Sequence, residues 1–368
     1  MRSGPTTGAN LRSGLMNDDD LTTILNALTE PVFLVNTDRR ITMANVAAEE
    51  LFGGELTGRN LVHAIRHPDA LDSVEEVLHG KTRSEAVISM SGPVRTTYKV
   101  SVVRLDNGED AEGGAVLGLH DISHVLEAEQ MRSDFVANVS HELRSPLSAL
   151  SGGIETLQGA ARNDPEAQVR FLGIMEHEAA RMNRLIDDLL SLTSVEVNER
   201  VRPSGKVNLR AIVERAIAAL ETQSKASKKP IRLEMPNGEC AVLGDEDELT
   251  QVFHNLIDNA LKYSRDNSEV IVTIGERDQV TGLAGPATTV AVTDQSDGIP
   301  AEHIPRITER FYRVDTSRSR EKGGTGLGLA IVKHILNRHR GRLLVDSEKD
   351  VGSTFTVCLP QDAPAQSP

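Results

Sequence analysis

Residues 135–157 read FVANVSHELRSPLSALSGGIETL, and this stretch decides the fold class of the middle of the chain. Its apolar residues recur at spacings of three and four, which is the periodicity of one face of an α-helix. These residues are Phe135, Val139, Leu143, Leu147, Leu150, Ile154 and Leu157. The pattern predicts a single long amphipathic helix.

A second helix is predicted after a short break at residues 163–165. Asp164 can cap the new helix, and Pro165 suits its first turn because that position needs no backbone N–H donor. Its apolar stripe consists of Leu172, Met175, Ala179, Met182, Ile186 and Leu189. One hairpin cannot cover both of its faces, so two chains are expected to pair as a four-helix bundle, although periodicity alone also allows a coiled-coil spacer.

The first helix carries a chemical signal, the heptapeptide SHELRSP at residues 140–146. His141 lies about 200° around the helix from Val139 and from Leu143, so it is expected to face solvent. An exposed imidazole keeps a free nitrogen lone pair near neutral pH and can act as a nucleophile. Glu142 is the candidate base that accepts the ring proton or orients the ring.

Two other interpretations compete for this motif. A zinc-protease helix needs a second histidine at position 145, where this chain has Ser145, so that interpretation is excluded. A solvent-exposed histidine without a chemical role stays open as long as the motif is considered alone. Pro146 lacks a backbone N–H and predicts a bend of the helix just past the site.

Residues 21–122 predict a small α+β domain. Two apolar runs around a turn predict a hairpin, and Asn45 suits the cap of the short helix that follows. Farther along, alternating apolar and polar residues indicate half-buried strands. The predicted strands cover residues 32–35, 41–44, 98–102 and 115–119. A hairpin, short helices and a closing antiparallel pair follow the order of a PAS domain, and the region resembles one.

The sequence says less about the signal that this PAS-like domain detects. No cysteine lies between residues 21 and 120, which excludes a flavin-cysteinyl light sensor. His63 and His67 are four residues apart and could ligate haem or a metal, but no further ligands are evident, so we interpret them as a solvated pair. A regulatory protein or a small ligand stays open as the partner of this domain.

The charge and composition of the chain exclude several classes of function. Its formal net charge of −14 argues against binding to nucleic acid, which requires clustered Lys and Arg. Cys240 and Cys358 are far apart and lack metal-ligand spacing, so no disulfide framework is expected. No apolar run approaches the ~18 residues of a membrane span, and no signal peptide is recognisable, so we expect a cytoplasmic protein.

The segment after the linker at residues 203–205 predicts a separate α/β domain, in which helix-like and strand-like stretches alternate. On one of its helices Asn255, Asn259 and Lys262 share a face through i, i+4 and i+7 spacing, and Tyr263 follows them. Amide oxygens can hold Mg²⁺ together with phosphate oxygens, and lysine meets phosphates as a point charge. Such residues also occur on solvated helices, so this segment alone is not specific.

Three further segments indicate a nucleotide site, and the last of them in the chain is Gly352-Ser353-Thr354, before the closing strand. Asp294 ends a predicted strand with an acceptor carboxylate suited to an amino group such as that of adenine, and Gly298 lies in the turn after it. The stretch GGTGLGL at residues 323–329 precedes a helix, where backbone N–H groups favour phosphate. It is neither a P-loop nor a dinucleotide fingerprint, because no Gly-Lys-Ser/Thr follows and no strand directly precedes it. The candidate binding residues of these segments are Asp294, Gly298, Gly324, Gly326, Leu327, Gly328 and Thr354.

Four motifs occur in an order typical of one family: the SHELRSP segment, the helix with Asn255 and Asn259, the turn from Asp294 to Gly298, and the glycine-rich loop. From residue 21 to residue 360 the chain resembles the sensor histidine kinases of two-component systems, with PAS, dimerisation and phosphoacceptor, and GHKL-type ATPase domains. Residues 65–68 and 304–315 resemble, more specifically, those of the phosphate-regulon (PhoR-like) sensor kinases. The predicted boundaries are a tail at 1–20, a PAS-like domain at 21–122, a helical hairpin at 123–200, an ATP-binding domain at 207–360 and a tail at 361–368.

The resemblance implies a multidomain α+β fold and a phosphotransfer reaction. Two hairpins would form the four-helix bundle of a homodimer, and the C-terminal domain would be a GHKL-type α/β sandwich that binds ATP and Mg²⁺. Asn255 and Asn259 would lie at the metal, under a lid over residues 311–324. The γ-phosphoryl group of ATP would pass to His141 and from there to an aspartate of a response-regulator receiver domain. Ser145 stands at the family's dephosphorylation position, which implies phosphatase activity, and the PhoR-like resemblance implies a response to phosphate.

One position departs from the family pattern. In the Asp-x-Gly-x-Gly motif, Ser296 replaces the first glycine. If that position needs a positive φ, serine would strain the backbone by about one to a few kcal/mol. Because serine is small, we expect ATP binding to survive with a lower affinity. A non-catalytic scaffold therefore stays open as an alternative. A clamp-type GHKL ATPase is a second alternative, but such a protein does not need a phosphoacceptor helix.

Overall fold

The computed structural model describes residues 18–91, 95–105, 113–199, 201–235, 240–283, 285–314 and 324–361. The chain divides into two compact units, residues 1–134 and residues 135–368. No helix in the described part of the chain is both long enough and apolar enough to cross a membrane.

In its described residues, the first unit has one sheet and four short helices before the long helix that begins at Ser123. The helices are α1 (Asp18–Asn26), α2 (Val46–Phe52), α3 (Leu61–Ala64) and α4 (Pro68–Leu78). The strands are β1 (Val32–Asn36), β2 (Ile41–Ala44), β3 (Arg83–Met90), β4 (Thr96–Leu105) and β5 (Gly114–Asp121). They form an antiparallel sheet in the order β2-β1-β5-β4-β3.

The predicted hairpin and helix cap are confirmed. Asn45 is fully buried, and its Oδ1 accepts hydrogen bonds from the backbone N–H groups of Ala48 at 3.0 Å and Val32 at 2.9 Å. Strand β3, in contrast, was not predicted. Burial alternates along β3, but Ser84 lies on its buried face and Val87 on its exposed face, so the sequence does not show the alternation of apolar and polar residues that reveals a half-buried strand.

The helical hairpin consists of α5 (Ser123–Gln158) and α6 (Pro165–Asn198), and the boundary between the two units falls within α5. The predicted start of α6 is confirmed, because Asp164 Oδ1 accepts from the backbone N–H of Ala167 at 3.0 Å and Pro165 opens the helix. Within one chain part of the predicted stripe is not covered. Leu147 is 56% exposed and Ile154 is 45% exposed, which leaves an apolar face on the hairpin.

The remaining elements form an α/β domain. Its helices are α7 (Leu209–Ala219), α8 (Glu221–Ser227), α9 (Glu246–Tyr263) and α10 (Gly328–Arg338). Its strands are β6 (Lys206–Asn208), β7 (Ile231–Glu234), β8 (Ala241–Leu243), β9 (Val270–Arg277), β10 (Ala287–Asp294), β11 (Arg342–Glu348) and β12 (Gly352–Pro360). The main sheet has the order β11-β12-β10-β9-β7, antiparallel except for β7 beside β9, and β6 pairs with β8.

The second unit has a continuous core that includes one side of the hairpin. Leu185, Leu192 and Val195 of α6 are buried in the same apolar cluster as Phe253 of α9 and Ile331 of α10. These three residues of α6 were missed in the predicted stripe. They lie seven and three positions apart, which is the signature of a second apolar face on the same helix.

Candidate active site

A cleft of about 450 Å³ in the second unit collects most of the predicted binding residues. It is bordered by α9, by the end of β10 and by the glycine-rich loop before α10. The predicted residues that line it are Asn255, Asn259, Lys262, Tyr263, Asp294, Gly298, Gly324, Gly326 and Gly328. Segments distant in the sequence therefore meet at one site, as a nucleotide pocket requires.

Asp294 is only 5% exposed, at the end of β10. Its Oδ1 accepts hydrogen bonds from the backbone N–H groups of Ser296 at 2.9 Å and Ser353 at 3.3 Å. Burial raises the pKa of this carboxyl above its ordinary value, and the hydrogen bonds from Ser296 and Ser353 counteract the rise. Because both bonds end on Oδ1, the second oxygen can accept a hydrogen bond from a ligand amino group.

The expectation of strain at Ser296 is wrong. Ser296 does not adopt a positive φ, so its Cβ meets no conformational penalty. Its Oγ accepts a hydrogen bond from the backbone N–H of Gly298 at 3.2 Å. The left-handed position of this turn is Gly298, with φ of 70°, where a Cβ would lie 2.1 Å from the carbonyl oxygen of Glu348. The turn therefore requires glycine at position 298 but not at position 296.

The glycine-rich loop is held against the first residue of the predicted lid, Phe311. Gly326 has φ of 76°, and a Cβ there would come within 2.9 Å of the backbone of Phe311. The N–H of Phe311 donates to the carbonyl of Gly326 at 2.8 Å. Leu327 is fully buried and does not line the cleft, and its backbone N–H donates to Thr325 Oγ1 at 3.3 Å. Residues 315–323, which make up most of the predicted lid, lie outside the described residues.

The face of α9 that was predicted to hold metal and phosphates does line the cleft. Asn255 and Asn259 both contribute to it, and Asn255 Nδ2 donates to the carbonyl of Gly328 at 3.4 Å. Lys262 Nζ lies 2.6 Å from the carboxylate of Asp258, one turn earlier on α9. Two neutral amides beside a lysine and a glycine-rich loop fit Mg²⁺ that is held jointly with phosphate oxygens. The described residues contain no group of three acidic, histidine or cysteine side chains that would hold a metal without a nucleotide.

Thr354 differs from its prediction. Its hydroxyl lies 3.0 Å from that of Thr293 on the neighbouring strand β10, and it is not part of the cleft lining. Ser353 and Phe355 line the cleft instead. Successive side chains of a strand point to opposite faces, so the residues on either side of Thr354 face the site while Thr354 does not.

The predicted phosphoacceptor His141 is exposed on α5, and Ser145 is exposed one turn later. Glu142 points elsewhere. Its Oε2 lies 2.6 Å from Arg181 Nη2 of α6 and 3.2 Å from Arg313 Nη2, and Arg313 also lines the nucleotide cleft. Glu142 therefore links the phosphoacceptor helix to the cleft through an arginine.

Several residues of the site were missed in the sequence. Arg181, Arg313 and Asp188 were not predicted as site residues. Asp188 of α6 lines the cleft and accepts a hydrogen bond from Thr325 Oγ1 at 2.6 Å. Burial raises the pKa of Asp188, and the hydrogen bond from Thr325 acts in the opposite direction. Arg181 and Asp188 lie on an amphipathic helix, where charged residues usually face solvent, so the sequence carried no signal for them.

Comparison with known families assigns all three regions of the chain. Residues 19–122 match the PAS fold, and residues 131–198 match the His Kinase A (phospho-acceptor) domain. Residues 244–363 match the family described as histidine kinase-, DNA gyrase B-, and HSP90-like ATPase.

Whole-chain relatives agree with these assignments. The phosphate regulon sensor protein PhoR of Pseudomonas aeruginosa is 34% identical over 92% of this chain and 73% of its own length. The sensor-like histidine kinase SenX3 of Mycolicibacterium smegmatis is 37% identical over 74% of this chain and 69% of its own length. A structure of histidine kinase ThkA in complex with response regulator protein TrrA has the same fold, with a TM-score of 0.50 and 22% identity over 94% of this chain and 99% of that chain. The chain therefore belongs to the sensor histidine kinases of two-component signalling, and it is a protein-histidine kinase with an ATP-binding domain.

Proposed function

We propose that ATP bound in the cleft phosphorylates His141, and that the phosphoryl group then passes to an aspartate of a response-regulator receiver domain. The contact between Glu142 and Arg313 carries this proposal, because it joins the residue beside His141 to a residue that lines the cleft. The exposure of His141 supports the same chemistry, since the imidazole must reach the nucleotide first and the regulator afterwards.

The cleft residues have distinct roles in this proposal. Asp294 would accept a hydrogen bond from the amino group of adenine, and the N–H groups of the loop at residues 324–328 would contact the phosphates. Asn255 and Asn259 would hold Mg²⁺, which neutralises charge on the phosphates during transfer. Lys262 would add a positive charge at the phosphates. Glu142 would take the proton that the imidazole of His141 loses or hold its ring in place.

The relatives support a proposal for the partner and for the signal. ThkA is bound to a response regulator in its structure, and we propose a receiver domain as the partner of this chain too. Ser145 keeps a hydroxyl one turn beyond His141, which supports phosphatase activity toward that regulator. The similarity to PhoR supports a response to phosphate, received through a regulatory protein or ligand at the PAS domain. The exposed apolar residues Leu147 and Ile154 support a homodimer joined through the hairpins.

The test is incubation of the purified protein with γ-labelled ATP and Mg²⁺, beside His141→Gln and Asn259→Ala variants. The wild type should acquire an acid-labile, base-stable label, and both variants should lack it. If the wild type binds ATP without acquiring label, the kinase proposal is wrong and a non-catalytic scaffold replaces it. A His141→Ala variant that still hydrolyses ATP at the wild-type rate would instead indicate a clamp-type ATPase.

A further inference from the structure

A nearly buried arginine joins the two helices of the hairpin beside the phosphoacceptor. The Arg181 side chain on α6 is 9% exposed, and its Nη2 lies 2.6 Å from Glu142 Oε2 on α5. Its Nη1 lies 3.6 Å from Glu178 Oε2, one turn earlier on its own helix. The short bond therefore crosses the hairpin to Glu142, although an acidic partner is closer along the chain.

This choice of partner is informative because burying a guanidinium group is unfavourable unless the charge is paired and hydrogen-bonded. Glu178 would suffice to neutralise Arg181 if the arginine served only the stability of α6. The Glu142 side chain is 15% exposed and directly follows His141, so Arg181 fixes a carboxylate next to the phosphoacceptor. Consecutive residues of a helix diverge by ~100°, which explains how Glu142 reaches the inside of the hairpin while His141 stays exposed.

Arg313, the second partner of Glu142, is held differently. It belongs to the ATP-binding domain, its side chain is 6% exposed, and its Nη2 lies 3.2 Å from Glu142 Oε2. Its Nε has no hydrogen-bond partner in the part of the chain that the structure describes. Arg313 is therefore incompletely satisfied by Glu142. Arg181 belongs to the same hairpin as Glu142, so the bond between them does not depend on where the ATP-binding domain lies.

We propose that Arg181 is a positioning residue for phosphoryl transfer, which holds the Glu142 carboxylate beside His141 while Arg313 is the exchangeable partner. This inference rests on the proposed function of His141. In the docked arrangement two arginines balance Glu142 and Glu178. When Arg313 leaves Glu142, Arg181 still holds the Glu142 carboxylate in place beside His141, where it can accept the imidazole proton.

The test compares Arg181→Met and Arg181→Lys in the full chain, with Glu178→Gln as the matched control that removes the weaker partner. We expect Arg181→Met to lower the rate of His141 labelling at saturating ATP by about 10- to 100-fold, which is less than the roughly 10²- to 10⁴-fold contribution of a general base because Glu142 itself is kept. The Kd for ATP should stay within about twofold, because Arg181 does not line the cleft. Arg181→Lys should recover part of the rate, and Glu178→Gln should stay close to wild type.

A double-mutant cycle with Glu142→Gln separates positioning from a structural role. If Arg181 acts through Glu142, then Arg181→Met should slow labelling far less in the Glu142→Gln protein than in the wild type. Equal fold-losses in both backgrounds would overturn the proposal, as would a loss that Arg181→Lys does not relieve and that follows a fall in Tm. If the wild type acquires no label, the proposed function fails first. If it labels on His141 and Arg181→Met labels equally fast, only this inference fails.

Discussion

The carboxylate of Asp188 accepts a hydrogen bond from the Thr325 hydroxyl at 2.6 Å, and this bond joins helix α6 of the hairpin to the glycine-rich loop. Asp188 lines the nucleotide cleft, and the positive charge of Lys262 acts to lower the pKa of its carboxyl against the larger effect of burial. A hairpin carboxylate thus lies on the loop that is proposed to receive the phosphates of ATP. Docking of the hairpin and binding of the triphosphate should therefore oppose each other electrostatically.

Asp188→Asn should bind ATP more tightly than the wild type. Asparagine keeps an oxygen for the Thr325 hydroxyl but removes a negative charge near the phosphates, and we expect the Kd for ATP to fall by about 3- to 10-fold, or ~1 kcal/mol. Titration with ATP at fixed Mg²⁺ checks this. Asp187→Asn is the matched control, because Asp187 lines the same cleft but is exposed, so solvent screens its charge. Unchanged or weaker binding by Asp188→Asn would contradict the argument.

Asp294→Asn should stabilise the protein without nucleotide and weaken ATP binding. Burial raises the pKa of Asp294, so its contribution to stability is present at low pH and is lost as the pH rises through the folded-state pKa. At pH 7 the neutral amide avoids this penalty and can still accept the N–H groups of Ser296 and Ser353. We expect the free energy of unfolding to rise by about 1 kcal/mol and the Kd for ATP to rise at least about tenfold. Thermal unfolding of the nucleotide-free protein measures the stability, and titration with ATP measures the Kd. A Tm of Asp294→Asn below that of the wild type would contradict the expected gain in stability.

Ser296→Gly should not improve ATP binding, although it restores the family's glycine. Ser296 is unstrained and its Oγ accepts the N–H of Gly298, so the change removes a hydrogen bond and adds backbone freedom. We expect a loss of about 0.5–1.5 kcal/mol in the free energy of unfolding, measured in urea, and a Kd for ATP within twofold of wild type. A clear gain in affinity would mean that serine does strain the turn. The neighbouring Gly298→Ala should be far more damaging, because its Cβ would meet the Glu348 carbonyl.

The stability of the ATP-binding domain should depend on pH through His339. This histidine is fully buried; its Nε2 accepts the N–H of Asp245 at 2.9 Å, and its Nδ1 lies 2.8 Å from the carbonyl of Ile335. Burial lowers its pKa below the ordinary 6.5. Its contribution to stability is therefore present above pH 6.5 and is lost as the pH falls toward the folded-state pKa, where the unfolded chain binds a proton that the folded chain does not.

Urea unfolding of the wild type and of His339→Gln between pH 7.5 and 5.5 measures this effect. We expect the wild-type free energy of unfolding to fall with decreasing pH, with up to about 1.4 kcal/mol per pH unit from His339 alone. Glutamine can accept the Asp245 N–H but does not titrate. At pH 7.5 the variant should have a lower free energy of unfolding than the wild type, because glutamine does not fill the buried histidine site equally well. Its free energy of unfolding should fall less than that of the wild type as the pH is lowered. Parallel pH profiles of the two proteins would show that another group is responsible.

Ile154→Glu should disrupt the homodimer. Ile154 is 45% exposed within one chain, on the predicted stripe of α5, and a carboxylate there would be buried without a partner in a four-helix bundle. Sedimentation should give a monomer for Ile154→Glu under conditions where the wild type is a dimer. Val351→Glu is the control, since Val351 is 60% exposed in the turn between β11 and β12 and should leave the dimer intact. If the wild type itself sediments as a monomer, the proposal of a homodimer is wrong.

Helix caps and helical faces could be predicted from the sequence, because they depend on residues only three or four positions apart. Asp164 caps α6 through a residue three positions on, and Asn255, Asn259 and Lys262 share a face because the helix repeats every 3.6 residues. The glycine-rich loop and the carboxylate at the end of β10 were identified in the same way. Strand β3 was missed because polar Ser84 lies on its buried face and apolar Val87 on its exposed face, and its place in the sheet is set by pairing with β4.

Only the tertiary structure decided which charges meet and which backbone positions are strained. Glu142 contacts Arg181, 39 residues away, and Arg313, 171 residues away, while Asp188 meets Thr325 across 137 residues. No periodicity encodes such pairs, because they arise when α6 packs against the ATP-binding domain through Leu185, Leu192 and Val195. Ser296 shows the same limit within a turn, since the Asp-x-Gly-x-Gly pattern does not reveal that the φ of its third position is not positive in this fold. Local hydrogen bonding and helical spacing fix the elements, whereas burial of apolar surface between distant elements selects the partners of the charged residues at the site.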